Sequence, residues 1–222
     1  MREANRQAFV GVVSAAPGIE LTNQFKFSRR GIDAVSQLPD GTVGQIADTF
    51  RMVGGTATLD SSKLEQFARR LGTDDCFRID GNEFVVEYDE RLHFTTFRGL
   101  TLTSGLYDRL KVGFNLSAYA SVCGTVRMTG SSGRAHNDSA HRHFKCPGTP
   151  GECRHRQRAF YDFLKDVLLG LDLDGMPRLI RVADLTDAVG GRSLRDILEG
   201  DTPAESKALV ELLRSNARLT AH

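Results

Sequence analysis

Apolar residues recur at helical spacing in several stretches of the chain. Ile46, Phe50 and Val53 fall at i, i+4 and i+7 behind a capping Thr42, and Gly54-Gly55 closes that helix. Leu64, Phe67, Ala68 and Leu71 predict a second helix, opened by Ser62 and Glu65 as a capping box and ended by Gly72. Phe160, Phe163, Leu164, Val167 and Leu168 predict a helix over Arg158–Leu169 with Gly170 at its C-cap position. Ser193–Leu198 reads as a short helix. Thr202-Pro203-Ala204-Glu205 then opens the last one, with Ala208, Leu209, Leu212, Leu213 and Leu219 facing inward.

Elsewhere the period shortens. Gln24–Ser28 alternates polar and apolar, as a half-buried strand does. Cys76–Ile79 and Glu83–Tyr88 flank Asp80-Gly81-Asn82, a hairpin signal. Arg91–Thr103 and Leu110–Met128 are rich in Phe, Val, Thr and Leu, which extends the expected antiparallel sheet over residues 74–128 with four or five strands. Leu179–Val182 reads as one more strand. Strands in the middle with helices at both ends predict an α+β fold. The chain reads as a single domain over 1–222, with a Cys/His-rich basic insertion at 127–158 and a helical part at 159–222.

Composition changes this picture in one place. The 222 residues carry 29 basic and 28 acidic side chains, a net charge of +1, which excludes a uniformly basic coat and an acidic disordered tail. The balance is uneven. Residues 127–158 hold seven Lys or Arg against Asp138 and Glu152, so +5 lies in 32 residues and −4 in the other 190. No stretch approaches the 18 or more apolar residues of a membrane span, and the N-terminal apolar run is too short for a signal peptide. The expected location is cytoplasmic or otherwise intracellular, with no membrane partner. Four cysteines in 222 residues do not suggest a disulfide scaffold.

The basic segment also concentrates metal-ligating chemistry. His143, Cys146, Cys153 and His155 form H-x2-C-x6-C-x-H, two thiolates and two imidazoles of the kind tetrahedral zinc favours, with Pro-Gly turns between the cysteines. His136 and His141 can replace either histidine. Four protein ligands leave no open position, so the zinc is structural, a clip at the start of the helix. Two other arrangements stay open: a solvated histidine-rich loop with two ordinary thiols, and a local Cys146–Cys153 disulfide. Around this centre Arg134, Arg142, Lys145, Arg154, Arg156 and Arg158 form a basic surface suited to phosphates. The expectation is a nucleic-acid-binding protein, with RNA a natural ligand. Phe94, Phe97, Phe114 and Tyr119 on the predicted sheet offer either base stacking or core packing.

Enzymatic chemistry is the second class. His141-Arg142-His143 followed by Tyr161-x3-Lys165 resembles the HUH endonucleases, a likeness that implies a metal-binding histidine pair and Tyr161 as a nucleophile on DNA phosphate. Arg142 stands where that family has a hydrophobic residue. Phe97-Arg98-Gly99 with Ser117–Ser121 resembles the Arg and Ser motifs of ADP-ribosyltransferases, which implies NAD held by Arg98; no Glu-x-Glu follows. His93-Phe94-Thr95 matches one half of a two-histidine phosphoesterase pattern, and packing beside Phe94 and Phe97 is the simpler expectation for His93. Asp172–Gly175 reads as a turn. A third class is a viral or phage structural or assembly protein whose basic arm serves packing.

Overall fold

The computed structural model describes residues 3–125, 143–145, 150–183, 188–189, 192–194, 198 and 203–220. A mixed α+β architecture is built on a four-stranded sheet in the order β1-β2-β3-β4. The strands are β1 Ile19–Lys26, β2 Thr73–Ile79, β3 Asn82–Asp89 and β4 Arg178–Ala183. A short ladder pairs β5 Ala188–Val189 with β6 Arg192–Ser193. The helices are α1 Glu3–Ser14, α2 Phe27–Ser36, α3 Thr42–Met52, α4 Ser61–Ala68, α5 Thr96–Thr101, α6 Leu116–Val122, α7 Pro150–Gly170 and α8 Pro203–Leu219.

The hairpin forms as predicted. Asp80 and Gly81 both take positive φ, at 46° and 89°, which lets β2 turn directly into β3. β1 adds antiparallel to β2, with Ile19 opposite Ile79 and Lys26 opposite Thr73. β4 instead pairs parallel to β3, Val85 opposite Leu179 and Glu87 opposite Arg181. A parallel pair needs a long crossover, and the chain between β3 and β4 supplies it through α5, α6 and α7.

That crossover corrects one expectation. Residues 91–103 and the described part of 110–128 form no strands of the main sheet. The first holds a 3₁₀ turn at Arg91–His93 and α5, the second holds α6, and another 3₁₀ turn at Gly105–Asp108 lies between them. Capping decides the outcome: the Thr95 side chain accepts from the Arg98 N–H, and the Asn115 side chain accepts from the Ala118 N–H. Phe94, Phe97, Arg98, Thr101 and Leu102 are all buried. Their spacing of i, i+3, i+4, i+7 and i+8 is the helical period, hidden in the sequence because Arg98 occupies an inward position. Phe94, Phe97, Phe114 and Tyr119 all belong to the core and lie outside the sheet, so none offers a stacking platform.

Strand alternation divides the core between two faces. Phe77, Ile79, Phe84, Val86, Tyr88, Ile180 and Val182 turn toward α1 and α8, which contribute Phe9, Val13, Leu209, Val210 and Leu213. Leu219, expected inward, is exposed at the end of α8. Phe25, Cys76, Val85, Leu179 and Ala183 turn to the opposite face, which α2 to α7 cover. α7 is the spine of that layer, with Phe160, Phe163, Leu164, Val167 and Leu168 all buried.

An aromatic cluster fixes the first half of α7. The Phe160 ring lies 4.9 Å from Phe50 and 5.3 Å from Phe67, and Phe144 reaches Phe50 at 5.2 Å. Phe144 enters because residues 143–145 run antiparallel to 54–56, with the Thr56 N–H on the His143 carbonyl and the Lys145 N–H on the Gly54 carbonyl. Glycine is required at that crossing. Gly54 has φ of 88°, and a Cβ on Gly55 would sit 2.3 Å from the Phe50 ring. Gly55→Ala therefore overpacks the cluster and lowers unfolding free energy by about 1–3 kcal/mol in urea titration. Gly72→Ala, where a Cβ meets nothing within 4 Å, leaves stability nearly unchanged.

Candidate functional site

Charged residues occupy positions that the apolar pattern reserves for the core. On β3, Glu87 and Asp89 share a face with Val85; on β4, Arg181 shares it with Leu179 and Ala183. α7 lies over them and contributes Asp162, Lys165 and Asp166, which the i, i+3 and i+4 spacing puts on one side of the helix. α5 adds Arg98. Arg98, Arg181, Asp89 and Asp166 have no side-chain exposure at all.

The partners are specific. Arg181 Nη1 donates to both oxygens of Asp89 at 2.9 Å, its Nε donates to Asp166 Oδ1 at 2.7 Å, and its Nη2 donates to the Asp162 carbonyl at 3.0 Å. Nη1 also lies 3.0 Å from Glu87 Oε2. Arg98 Nη2 donates to Asp166 Oδ2 at 2.5 Å, and the Tyr107 hydroxyl donates to that same oxygen. Tyr119 donates to Asp89 Oδ2 at 2.8 Å, and Lys165 Nζ donates to Glu87 Oε1 at 2.8 Å. His93, in the turn after β3, closes the layer. Its Nδ1 is 2.9 Å from Asp162 Oδ2 and 3.2 Å from Asp89 Oδ1.

Four carboxylates (Glu87, Asp89, Asp162, Asp166) thus face Arg98, Lys165, Arg181 and His93. The set is neutral only if His93 carries a proton. Burial alone pushes the His93 imidazole pKa down, but Asp162 and Asp89 outweigh it and hold the value above its usual range. Burial also raises the Asp89 carboxyl, against Arg181 and His93. For Asp162 the burial penalty is overcome by His93 and Arg181, and its carboxyl stays well below the ordinary range. Burial drives the Tyr107 and Tyr119 hydroxyls far up, so both remain donors.

Where this layer meets solvent, α7 presents a second group. Arg154 is exposed, and Arg158 and Tyr161 are half-buried, with Arg70 beyond the end of α4 beside Tyr161. Arg154 Nη1 donates to Gln157 Oε1 at 2.7 Å. Burial and the neighbouring Arg158 lower the Arg154 pKa, and Arg158 also acts on His93. Among the described residues, Arg70, Arg154 and Arg158 have no carboxylate within ion-pair distance. Arg156 is different. It turns to the other side of α7, donates to Glu152 Oε1 and the Val53 carbonyl, and stacks 4.2 Å from the Phe97 ring centre. Its guanidinium ties α7 to α3.

The remaining sequence-predicted residues separate. Arg134, Arg142 and Cys146 lie outside the described residues, as do His136 and His141. Lys145 is exposed. His143 packs edge-on against Phe67 at 5.2 Å. Cys153 is buried and disulfide-bonded, and its Sγ lies 3.9 Å from the Phe144 carbonyl, whereas Cys76 and Cys123 are free thiols. His155 is buried, and its Nδ1 has no hydrogen-bond partner among the described residues. Burial, Arg158 and Arg154 lower its pKa. Among the described residues, no group of three or more His, Cys, Asp or Glu is placed to hold a metal ion.

The enzyme-like fragments fare differently. Arg98 is sealed inside the charge layer, out of reach of a nucleotide. Burial raises the Tyr161 hydroxyl pKa, and Gln157 and Arg70 hydrogen-bond it. The sequence-based reading missed Glu87, Asp89, Asp162, Lys165, Asp166 and Arg181. Their signal was charge inside apolar runs, in Val-Val-Glu-Tyr-Asp on β3, Leu-Ile-Arg-Val on β4 and Asp-Phe-Leu-Lys-Asp on α7.

A family profile described as Family of unknown function (DUF7255) matches residues 48–200, more than half of the chain, and the protein belongs to that family. The matched span contains every residue of the charge layer and Arg70, Arg154 and Arg158. No curated protein and no solved structure matches the chain.

Because the folded-state pKa of His93 is raised, its stabilising contribution is complete below the unfolded value of about 6.5. That contribution disappears as pH climbs through the higher folded value. Urea stability is therefore expected to decline above about pH 6.5. His93→Gln flattens this decline; an unchanged profile in the variant would show that another group titrates.

Proposed function

We propose that the protein binds nucleic acid through the exposed side of α7 and the basic segment that precedes it. The observation that supports this is the convergence of Arg70, Arg154 and Arg158 without carboxylate partners among the described residues, in a molecule whose other described arginines include a fully buried pair. Guanidinium groups with no carboxylate partner among the described residues, near a half-buried tyrosine, suit phosphate oxygens, which accept two parallel hydrogen bonds from one arginine. Residues 127–158 carry a net +5 in the sequence, which favours the same class of polyanionic ligand. RNA and DNA share the phosphate chemistry that this surface would read, so strand type is an outcome of the binding assay. Among the described residues no helix is long and apolar enough to cross a membrane.

Zinc belongs to the reduced chain in this reading. A disulfide-bonded Cys153 offers no thiolate, whereas reduction would free it; His155, two residues further along α7, has a buried Nδ1 that lacks a hydrogen-bond partner among the described residues. His143, Cys146, Cys153 and His155 then supply the four ligands. Elemental analysis after reduction and dialysis against zinc should find one ion per chain, lost on Cys153→Ser. Absence of metal from the reduced protein would remove zinc from the account.

Binding of a labelled single-stranded oligonucleotide should weaken as salt rises. The double variant Arg154→Ala/Arg158→Ala should lower the slope of log K against log salt by about 1.4, the share of two phosphate contacts. Arg156→Ala should chiefly reduce stability, since that side chain holds α7 to Val53. Binding insensitive to both salt and the double variant would refute the proposal.

A further inference from the structure

His93 has the geometry of a positioned proton donor. Its Nδ1 is held by Asp162 at 2.9 Å and Asp89 at 3.2 Å, and Asp89 is itself fixed by Arg181 and Tyr119. Two carboxylates on one ring nitrogen set the orientation of the ring and favour the imidazolium. The other nitrogen, Nε2, makes no hydrogen bond among the described residues, and the side chain retains 14% of its exposure. The Arg158 charge, on the stretch of α7 that ends at Asp162, acts on the same ring, and Arg154 stands one helical turn before it.

We propose that His93 is the general acid of a phosphodiester-cleaving site at the junction of the β3 turn with α7, with Arg158 as the ligand of the scissile phosphate. This rests on the nucleic-acid reading of the α7 surface and adds a reaction to it. The attacking water forms a new bond to phosphorus and releases its proton to solvent. The ester P–O bond breaks, and the Nε2 proton of His93 passes to the departing oxygen, which leaves as a hydroxyl. Solvent returns a proton to His93. One water is consumed for each diester converted to a monoester and an alcohol. Arg158 stabilises the charge that builds on the non-bridging oxygens. Glu87 and Asp89 on β3, Asp162 and Arg158 on α7, and the buried Arg181 behind them are the charged groups around the ring. Asp162 and Asp89 are positioning residues.

The test uses the full-length protein with end-labelled RNA and DNA oligonucleotides in magnesium-containing buffer, measuring binding and cleavage side by side. Wild type should cleave at least one of them, with a rate that falls as pH rises through the deprotonation of His93. His93→Gln should lose about 100-fold or more in rate, keep its binding affinity, and no longer show that alkaline fall. If the variant fails to fold, the wild-type pH profile still decides, because a rate that only increases with pH excludes a general acid here. Binding without cleavage by wild type would overturn the inference and leave the binding reading intact. Absence of binding would overturn both. A His93→Gln protein that cleaves at the wild-type rate would assign the reaction elsewhere.

Discussion

The Arg181 guanidinium, sealed between the sheet and α7, is the interaction on which the rest of the structure depends. It reaches Asp89 on its neighbouring strand and Asp166 on the helix above, and it caps the Asp162 carbonyl. Taking such a group out of water carries a large desolvation penalty, and only complete pairing offsets it. Removal of one partner from a buried ion pair typically costs about 3–5 kcal/mol, because the other charge is left stranded. Here the pairing also selects a register. The aromatic cluster around Phe160 fixes the first half of α7, and the charged residues fix the second. Any other register separates Asp166 from Arg181 and Lys165 from Glu87.

The same helix sorts its arginines by direction. Arg156 turns toward α3, where Glu152, the Val53 carbonyl and the Phe97 ring satisfy it. Arg154 and Arg158 turn outward and keep their charge available. Two features around the first turns of α7 set this geometry. Gly54 allows Arg156 to approach the backbone, with Nη1 2.4 Å from where a Cβ would lie. Phe144 and Cys153 anchor the preceding segment against the aromatic cluster. The basic surface is thus a consequence of core packing, since the side that binds Arg156 inward decides which arginines remain outside.

The hairpin, the core of α7, the helices at 42–52 and 61–68 and strand β4 were all legible as periodicity, because each carries enough apolar residues at its own period to outweigh the charges set among them. Their caps were less so. The helix at 61–68 is capped by Asp60, whose side chain accepts from the Lys63 N–H, two residues earlier than the Ser62–Glu65 box suggests. The crossover at 91–125 was misread for a physical reason. Its composition is β-like, and its helical period is completed by Arg98, which hydropathy counts as a surface residue. The charge layer was hidden by the same rule, since Glu87, Asp89, Asp162, Asp166 and Arg181 come from three elements distant in sequence. Each reads locally as a defect in an apolar run, and only the fold shows the defects cancelling one another. The arginines on α7 were visible as a cluster, but the difference between Arg156 and its neighbours depends on helix direction and on Gly54.

His93 is where the two halves of the site meet. On its inner side it completes the neutrality of a layer that otherwise holds four carboxylates against three permanent or strongly paired cations. From α7, the positive charge of Arg158 acts on the same ring. With the imidazole protonated, the buried layer contributes little net field, and the potential of Arg70, Arg154 and Arg158 at the surface stands undiminished. Loss of that proton leaves one uncompensated negative charge in a low-dielectric interior beneath those arginines, where screening by solvent is weak. The proton on His93 therefore governs internal cohesion and the attraction for an anionic ligand in the same direction. The coupling follows from placement, because Asp162 holds the His93 ring at 2.9 Å and Arg158, one turn earlier on α7, acts on the same ring through its charge.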